Sequence, residues 1–373
     1  MIEGAEAVRV LEASGVRLFV GVPDSLMKGF CNALDAIDRP SGHIVAANEG
    51  AAVATAAGHY LATGKPAVVY MQNSGLGNAV NPLSSLASRR VYGIPMVLLV
   101  GWRGEPGVED EPQHEHQGAI TIDQLELLDV PTEVIGPGDD VKAVLEETVA
   151  QAESGHGPVA IVVRKGTFIG PDLAESPIGF SRMDALRVVV DTLPEESAFV
   201  ATTGYTGREL ALMREQRAES WDRDMLMIGS MGHASALALG IAGAVPDRLV
   251  CCLDGDGAVA MHMGSLAVIG AERPSNLVHV VLNNGVHESV GGQPSALRSA
   301  DLPGLARNLG YASSAVAGDE AELTAALKRL IDTSSGPALI EVRIVPGTVG
   351  SLPRPSDFKQ RAAAMREWLK GGG

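Results

Sequence analysis

Continuous apolar runs, rather than alternating ones, carry the strand signal in this chain. PAVVYM (Pro66–Met71), PMVLLVG (Pro95–Gly101) and LVHVVLN (Leu277–Asn283) place hydrophobic side chains on both faces. Strands of a parallel sheet covered on both sides require this. VRLFVG (Val16–Gly21), HIVAA (His43–Ala47) and PVAIVVRKG (Pro158–Gly166) read as further strands of the first half. An alanine-rich helix ending at Gly64 and a helix over Asp139–Glu153 lie between them. The periodicity then lapses in TFIGPDLAESPIGF (Thr167–Phe180), and the same grammar restarts. Helices are expected over Arg182–Leu193, Ala234–Ala242, His262–Gly270, Leu302–Leu309 and Glu320–Asp332. Strands are expected over Ala198–Thr202, Met225–Gly229, Leu249–Leu253, Leu277–Asn283 and Pro337–Val345, with MREWLKGGG frayed at the end. The fold class is α/β: two doubly wound parallel-sheet domains, 1–170 and 182–373, joined by a linker at 171–181.

Composition agrees with that division. A chain of 373 residues with 46% hydrophobic content is too long for one comfortable α/β domain and has material for two cores. A net charge of −16 argues against nucleic acid as a partner, but a small anion answers only to the local field of its pocket. Cys31, Cys251 and Cys252 have no zinc spacing and form no disulfide framework. Acidic residues in MIEGAEAVRVLEASG rule out a signal-peptide pattern. The run without fixed charge from Gly229 to Pro246 reads as a buried helix, not a membrane span. No membrane partner and a cytoplasmic location are therefore expected.

Chemistry concentrates at CLDGDGAVAMHMGSLAVIGAERPSNLVHVVLNN. Gly255 and Gly257 flank Asp256 just past one apolar run, and Asn284 closes the next. Glycines there let the backbone approach a phosphate closely. In a parallel sheet, strand ends of this kind line one crevice where ligands bind. A carboxylate, an amide oxygen, a carbonyl, two phosphate oxygens and a water complete an octahedron for Mg²⁺. Either tripeptide alone is an ordinary turn. The 25 residues between Gly257 and Asn283 span one strand–helix–strand crossover and bring both to the same edge.

This GDG-x25-NN pattern resembles the diphosphate-domain signature of the thiamine diphosphate enzymes. LMIGSMG followed by HASALALG resembles the strand, turn and helix that precede it in the 2-oxoacid decarboxylase branch. The resemblance implies thiamine diphosphate and Mg²⁺ as cofactors. It implies Asp256, Asn284 and the Val286 carbonyl as metal ligands, and Met231 as the apolar wedge under a bent cofactor. Gly229, Gly255, Gly257 and Ala258 would meet the cofactor in the second domain, where Thr203 and Gly204 follow a strand and could bond its diphosphate. MQNSGLGNAVNP is too polar and glycine-rich for an ordinary buried connection, so its Asn73, Ser74, Gly75 and Leu76 could meet the cofactor or the neighbouring subunit. Such enzymes carry a glutamate that shares a proton with the pyrimidine ring. Glu49, at a strand end in HIVAANEG, is the candidate; its alternative role is a helix N-terminal acid interacting with the dipole. The two domains would then be pyrimidine-binding and diphosphate-binding, with no middle domain.

GVPDSLMKGFC, AANEGAAVATAAGHYLATGKPAVVYMQNSGLGNAVNPLSSLA, GWRGEPGVEDEPQHEHQG, VRKGTF and NNGVHESVGGQPS are similar to segments of the phosphonopyruvate-decarboxylating group. This implies non-oxidative decarboxylation of 3-phosphonopyruvate to phosphonoacetaldehyde, in phosphonate metabolism or antibiotic biosynthesis. Sulfopyruvate decarboxylation and carboligation are the alternatives. Asp24 is either a helix cap or an active-site acid. His114, in a segment that reads as a loop, is a proton carrier, a substrate donor or a solvated histidine. His287 follows the metal-binding turn and is a further candidate proton carrier. Lys28, Arg103 and Gln113 are candidate contacts for the substrate's acid groups, with surface salt bridges as the other reading of the two cations. A homo-oligomer, at least a dimer with sites between subunits, is expected, packed through Ala51–Gly58 and Ser235–Gly243.

Overall fold

The computed structural model describes residues 1–36, 42–170, 178–333 and 336–371. The chain divides into two compact units: 1–174 together with 287–294, and 175–286 together with 295–373.

Six parallel strands form the sheet of the first unit: β1 (Phe19–Gly21), β2 (His43–Val45), β3 (Ala67–Gln72), β4 (Met96–Gly101), β5 (Thr132–Ile135) and β6 (Pro158–Val163). Their spatial order is β2-β1-β3-β4-β6-β5. Helices α1 (Gly4–Ala13), α2 (Lys28–Asp35), α3 (Glu49–Thr63), α4 (Leu76–Ser84), α5 (Pro112–Leu127) and α6 (Val141–Gly155) alternate with them. One core lies under α1, α2 and α6, around Leu11, Phe30, Leu99 and Leu145. The other lies under α3, α4 and α5, around Val53, Leu76, Leu98 and Leu125.

The second unit repeats the plan. Its strands are β7 (Ala198–Ala201), β8 (Asp224–Leu226), β9 (Val250–Gly255), β10 (Leu277–Asn283), β11 (Ser313–Ala317) and β12 (Ala338–Arg343), in the order β8-β7-β9-β10-β12-β11. All are parallel. Helices α7 (Arg182–Thr192), α8 (Tyr205–Gln216), α9 (Ala234–Ala244), α10 (Asp256–Met261), α11 (Gly264–Glu272), α12 (Leu302–Asn308), α13 (Glu320–Thr333) and α14 (Phe358–Lys370) complete it. The strand order of the first unit recurs in the second, position for position. Two doubly wound parallel sheets were expected, and two are found.

Several local expectations are corrected. VEDEPQHEHQG is a loop only as far as Glu111: Pro112 starts α5, suited to the first helical position because it needs no N–H there. The helix expected from His262 to Gly270 is found as Gly264–Glu272, and a separate short helix, Asp256–Met261, precedes it. The run from Gly229 to Pro246 is helical only over Ala234–Ala244, and Ala236, Gly240, Gly243 and Ala244 are exposed. Residues 366–370 belong to α14 instead of a frayed end, with Trp368 stacked under Arg248 at 3.9 Å. Most of the expected linker, 171–177, lies outside the described residues. At its edges, Phe168–Ile169 pairs with Ile2–Glu3, and Ser181 caps α7 in a reciprocal box with Asp184.

Candidate active site

Buried polar groups are normally hydrogen-bonded, because an unsatisfied one costs about 1–3 kcal/mol. Among the described residues, five buried carboxylate oxygens have no hydrogen-bond partner: Asp24 Oδ2, Glu49 Oε1, Glu209 Oε2, Asp256 Oδ2 and Glu341 Oε2. Glu209 is ion-paired with Arg182 and Glu341 lies near Arg343. Asp24, Glu49 and Asp256 remain, and each follows the carboxyl end of a strand: β1, β2 and β9. Three costly carboxylates at the ligand-binding edge of two sheets mark chemistry, not stability.

In the first unit, Asn48 caps α3 by accepting from the Ala51 N–H, which makes Glu49 the first helical residue. Asn78 donates to Glu49 Oε2 at 2.7 Å, and Oε1 stays open. Burial pushes the Glu49 carboxyl above its usual range, only partly opposed by Asn78. A methyl group at Gly75 would overlap Glu49 Oε1, so glycine there is a condition of this placement. Leu76 is buried beside it at the start of α4.

Asp24 does not cap a helix. Its side chain makes no cap hydrogen bond; the next residues form a single 3₁₀ turn, Ser25–Met27, before α2. Instead Gln72, the last residue of β3, donates to Asp24 Oδ1 at 3.0 Å, and Ser74 Oγ donates to Gln72 Oε1 at 2.7 Å. Asp24 Oδ2 sits over Gly101, where any side chain would overlap it. Burial raises its carboxyl pKa, while Gln72 and the charges of Arg103 and His114 act in the lowering direction.

Arg103 is not a surface ion pair. Its Nε donates to Asp110 Oδ2 at 2.8 Å, its Nη2 to Asp110 Oδ1, and its Nη1 to Ser25 Oγ at 3.1 Å. His114 Nδ1 lies 3.0 Å from Asp110 Oδ1, one turn along the same segment. Asn73, expected at a cofactor, has its side-chain amide bonded to both the Arg103 N–H and carbonyl and to Thr121. Gln113 is half-buried in the first turn of α5, and Lys28 is half-buried at the start of α2.

In the second unit, Asp256 opens α10, with Ser295 and the backbones of Gly257 and Asn284 among the groups that favour its charged form against burial. The two asparagines diverge. Asn283 turns into the sheet and donates to Glu341 at 2.8 Å, whereas Asn284 Oδ1 accepts from the Val286 N–H at 3.1 Å and shapes the turn. Thr203 and Gly204 lead into α8; Gly204 has φ 97°, a conformation that favours glycine. Met231 lies in a turn where Gly229, Ser230 and Gly232 all have positive φ. A methyl group at Gly232 would press on Ala258 and His262, so this turn packs directly on the helix that Asp256 begins. Gly255 borders open space. His287 falls in the segment grouped with the first unit, and burial lowers its imidazole pKa.

Gln72, Asn78, Asp110 and Ser295 were missed by the sequence reading. Only Asp110 carried a signal, as one more acid in an acidic stretch; the others are neutral side chains whose role depends on folding. The donor set fits a hard cation: a buried carboxylate oxygen without a partner at Asp256, beside an amide-bearing turn. The open Glu49 Oε1 likewise fits a nitrogen base in need of a proton partner.

Comparison with known proteins points to the cofactor that the sequence resemblance implies. Residues 3–127 match the thiamine pyrophosphate enzyme N-terminal TPP-binding domain, and residues 203–342 match the C-terminal TPP-binding domain. A phosphonopyruvate decarboxylase of Streptomyces hygroscopicus is 36% identical over 95% of this chain and 90% of its own. One from Streptomyces viridochromogenes is 36% identical over 95% and 91%. A sulfopyruvate decarboxylase of Methanosarcina acetivorans is 27% identical over 98% and 97%. Among the described residues, no helix is long and apolar enough to cross a membrane. The chain belongs to the thiamine pyrophosphate enzymes, in the decarboxylase family that includes the phosphonopyruvate decarboxylases.

Proposed function

We propose that this enzyme decarboxylates 3-phosphonopyruvate to phosphonoacetaldehyde and CO₂. Identity of 36% across nearly the whole chain to two phosphonopyruvate decarboxylases carries this reading, against 27% for the sulfopyruvate enzyme. When bound, thiamine diphosphate supplies the electron sink for the departing CO₂, with Mg²⁺ anchoring its diphosphate. Asp256, Asn284 and the Val286 carbonyl would hold the metal. Thr203, Gly204, Gly229, Gly255, Gly257 and Ala258 would line the diphosphate, with Met231 as apolar support. In the first unit Ser74, Gly75 and Leu76 would border the pyrimidine, while Asn73 acts behind them through its backbone-clamping bonds.

The residues divide the proton work. Glu49 offers a desolvated carboxylate oxygen with which a ring nitrogen can share a proton. Asp24, His114 and His287 are the groups available to carry the proton that the product carbon requires. Arg103, Lys28 and Gln113 would receive the carboxylate and the phosphonate, with Arg103 offering planar donors suited to an oxyanion. The functional division would follow the two domains read from the sequence, 1–170 for the pyrimidine side and 182–373 for the diphosphate side, except that 287–294 group with the first unit.

A cytoplasmic homo-oligomer of at least two chains is part of the proposal, with sites completed across protomers as the family resemblance implies. Uncharged small-residue faces support it: Ala51, Ala54 and Gly58 on α3, and Ala236, Gly240 and Gly243 on α9, are exposed. The decisive assay measures CO₂ and aldehyde release side by side with phosphonopyruvate, sulfopyruvate and pyruvate. The highest kcat/KM is expected with phosphonopyruvate; a higher value with sulfopyruvate overturns the assignment.

A further inference from the structure

Asp110 accepts more hydrogen bonds than any acid at the candidate site needs for its own stability. Arg103 Nε donates to it at 2.8 Å, Arg103 Nη2 donates to its other oxygen, the Gly104 N–H donates at 2.8 Å, the Glu111 N–H at 2.7 Å, and His114 Nδ1 lies at 3.0 Å. Five donors saturate the roughly four lone-pair sites of a carboxylate. Burial acts against its charge, but the Arg103, His114 and backbone donors outweigh it and hold the carboxyl far below the usual range.

Two consequences follow for its partners. An ionised carboxylate only accepts, so His114 carries its hydrogen on Nδ1 and, when neutral, presents a bare Nε2 at the opposite side of the ring. Arg103 uses three of its five N–H donors on Asp110 and Ser25, leaving two, one on each terminal nitrogen, for another oxyanion. The backbone under this group is rigid. A methyl at Gly104 would overlap the His114 carbonyl, and one at Gly118 would overlap the Gly104 carbonyl. Trp102 Nε1 donates to the Gly118 carbonyl at 2.9 Å, and Asn73 grips both backbone polar groups of Arg103. Arg103 and His114 both act electrostatically on Asp24, in the direction that favours its charged form.

We propose that Asp110 is a positioning residue that locks Arg103 and His114 into one rigid group, and that this group sets the preference for a substrate bearing a second acidic function. The proposal rests on the decarboxylase reading above and names how that site selects its substrate. Asp110 itself touches neither substrate nor cofactor; it acts through the two residues it holds.

The test is a double-mutant cycle on the holoenzyme, read by calorimetric binding of phosphonoacetate, which carries both acid groups but no reactive ketone. Asp110→Asn and Arg103→Ala are each expected to weaken phosphonoacetate by roughly 30-fold or more. The double variant should lose clearly less than the sum of the two single losses, because Asp110 works in large part through that guanidinium. In turnover, Asp110→Asn should lose more kcat/KM with phosphonopyruvate than with pyruvate, which lacks the second acid. If Asp110→Asn does not fold, Asp110→Glu, with charge kept and the carboxylate one methylene further out, takes its place in the cycle. Unchanged phosphonoacetate affinity in the folded variant, additive losses, or equal losses with both substrates would overturn the proposal. If wild-type enzyme proves to prefer sulfopyruvate or pyruvate, the parent reading fails instead, and the same cycle on the preferred substrate and its unreactive analogue still decides Asp110.

Discussion

Two sheets with one strand order carry different residue types at their carboxyl ends. Position by position, β1 leads to Asp24 where β7 leads to Thr203 and Gly204, and β2 leads to Glu49 where β8 leads to the Met231 turn. After the third strand, β3 continues into Asn73 and Gln72 serves Asp24, whereas β9 continues into Asp256 at the head of a helix. The first unit keeps protonatable oxygens open and desolvated. The second offers glycine turns with positive φ and, at Asp256, a buried carboxylate oxygen without a hydrogen-bond partner. On the function proposed above, the scaffold fixes where ligands meet the protein, and the residues after each strand would decide whether that place moves protons or holds phosphate and metal.

The largest expected effect breaks the second half of that comparison. Stripping the enzyme with chelator and dialysis should abolish CO₂ release, and only thiamine diphosphate and Mg²⁺ together should restore it. Full activity in a thoroughly stripped sample contradicts the role of Asp256 and its neighbours.

A smaller effect is expected at Met231. Met231→Ala removes an apolar support from a strained turn on the surface of the second unit, so cofactor affinity should fall by about tenfold, on the order of one buried side chain's apolar contact, with little change in melting temperature. Early melting with normal affinity would make Met231 an ordinary packing residue.

The smallest effect sharpens the contrast in the first unit. Burial raises the Glu49 carboxyl pKa, so its ionisation destabilises the cofactor-free fold. That cost is absent below the unfolded-state pKa, grows as pH rises from about 4, and is complete above the folded value. Glu49→Gln should therefore raise the melting temperature of the cofactor-free protein by a few degrees at pH 8, with the gain shrinking towards pH 4. A variant that melts earlier at pH 8 would mean that the Asn78 bond matters more than desolvation.

What could be read from the chain follows from the range of the forces involved. Strands such as Met96–Gly101 are legible because burial on both faces leaves an unbroken apolar run. Asp256 and Asn284 stand out because each closely follows such a run. The α5 segment was misread because its acids and histidines mask a helix that is held by tight glycine contacts at Gly104 and Gly118, a tertiary effect with no local periodicity. Asp24 was open between two roles for a similar reason. Only the fold brings Gln72 to one of its oxygens and Gly101 beneath the other. The shared strand order is hidden as well, since topology survives when no residue repeat does.

The division of labour between the two sheets is tested most directly by measuring Mg²⁺-dependent thiamine diphosphate affinity and turnover in the same two variants. Asp256→Ala should lose the metal-dependent affinity. Glu49→Gln should retain most of that affinity while turnover falls by a factor on the order of 10²–10⁴. Intact metal-dependent binding in Asp256→Ala, or full turnover in Glu49→Gln at saturating cofactor, would contradict the account.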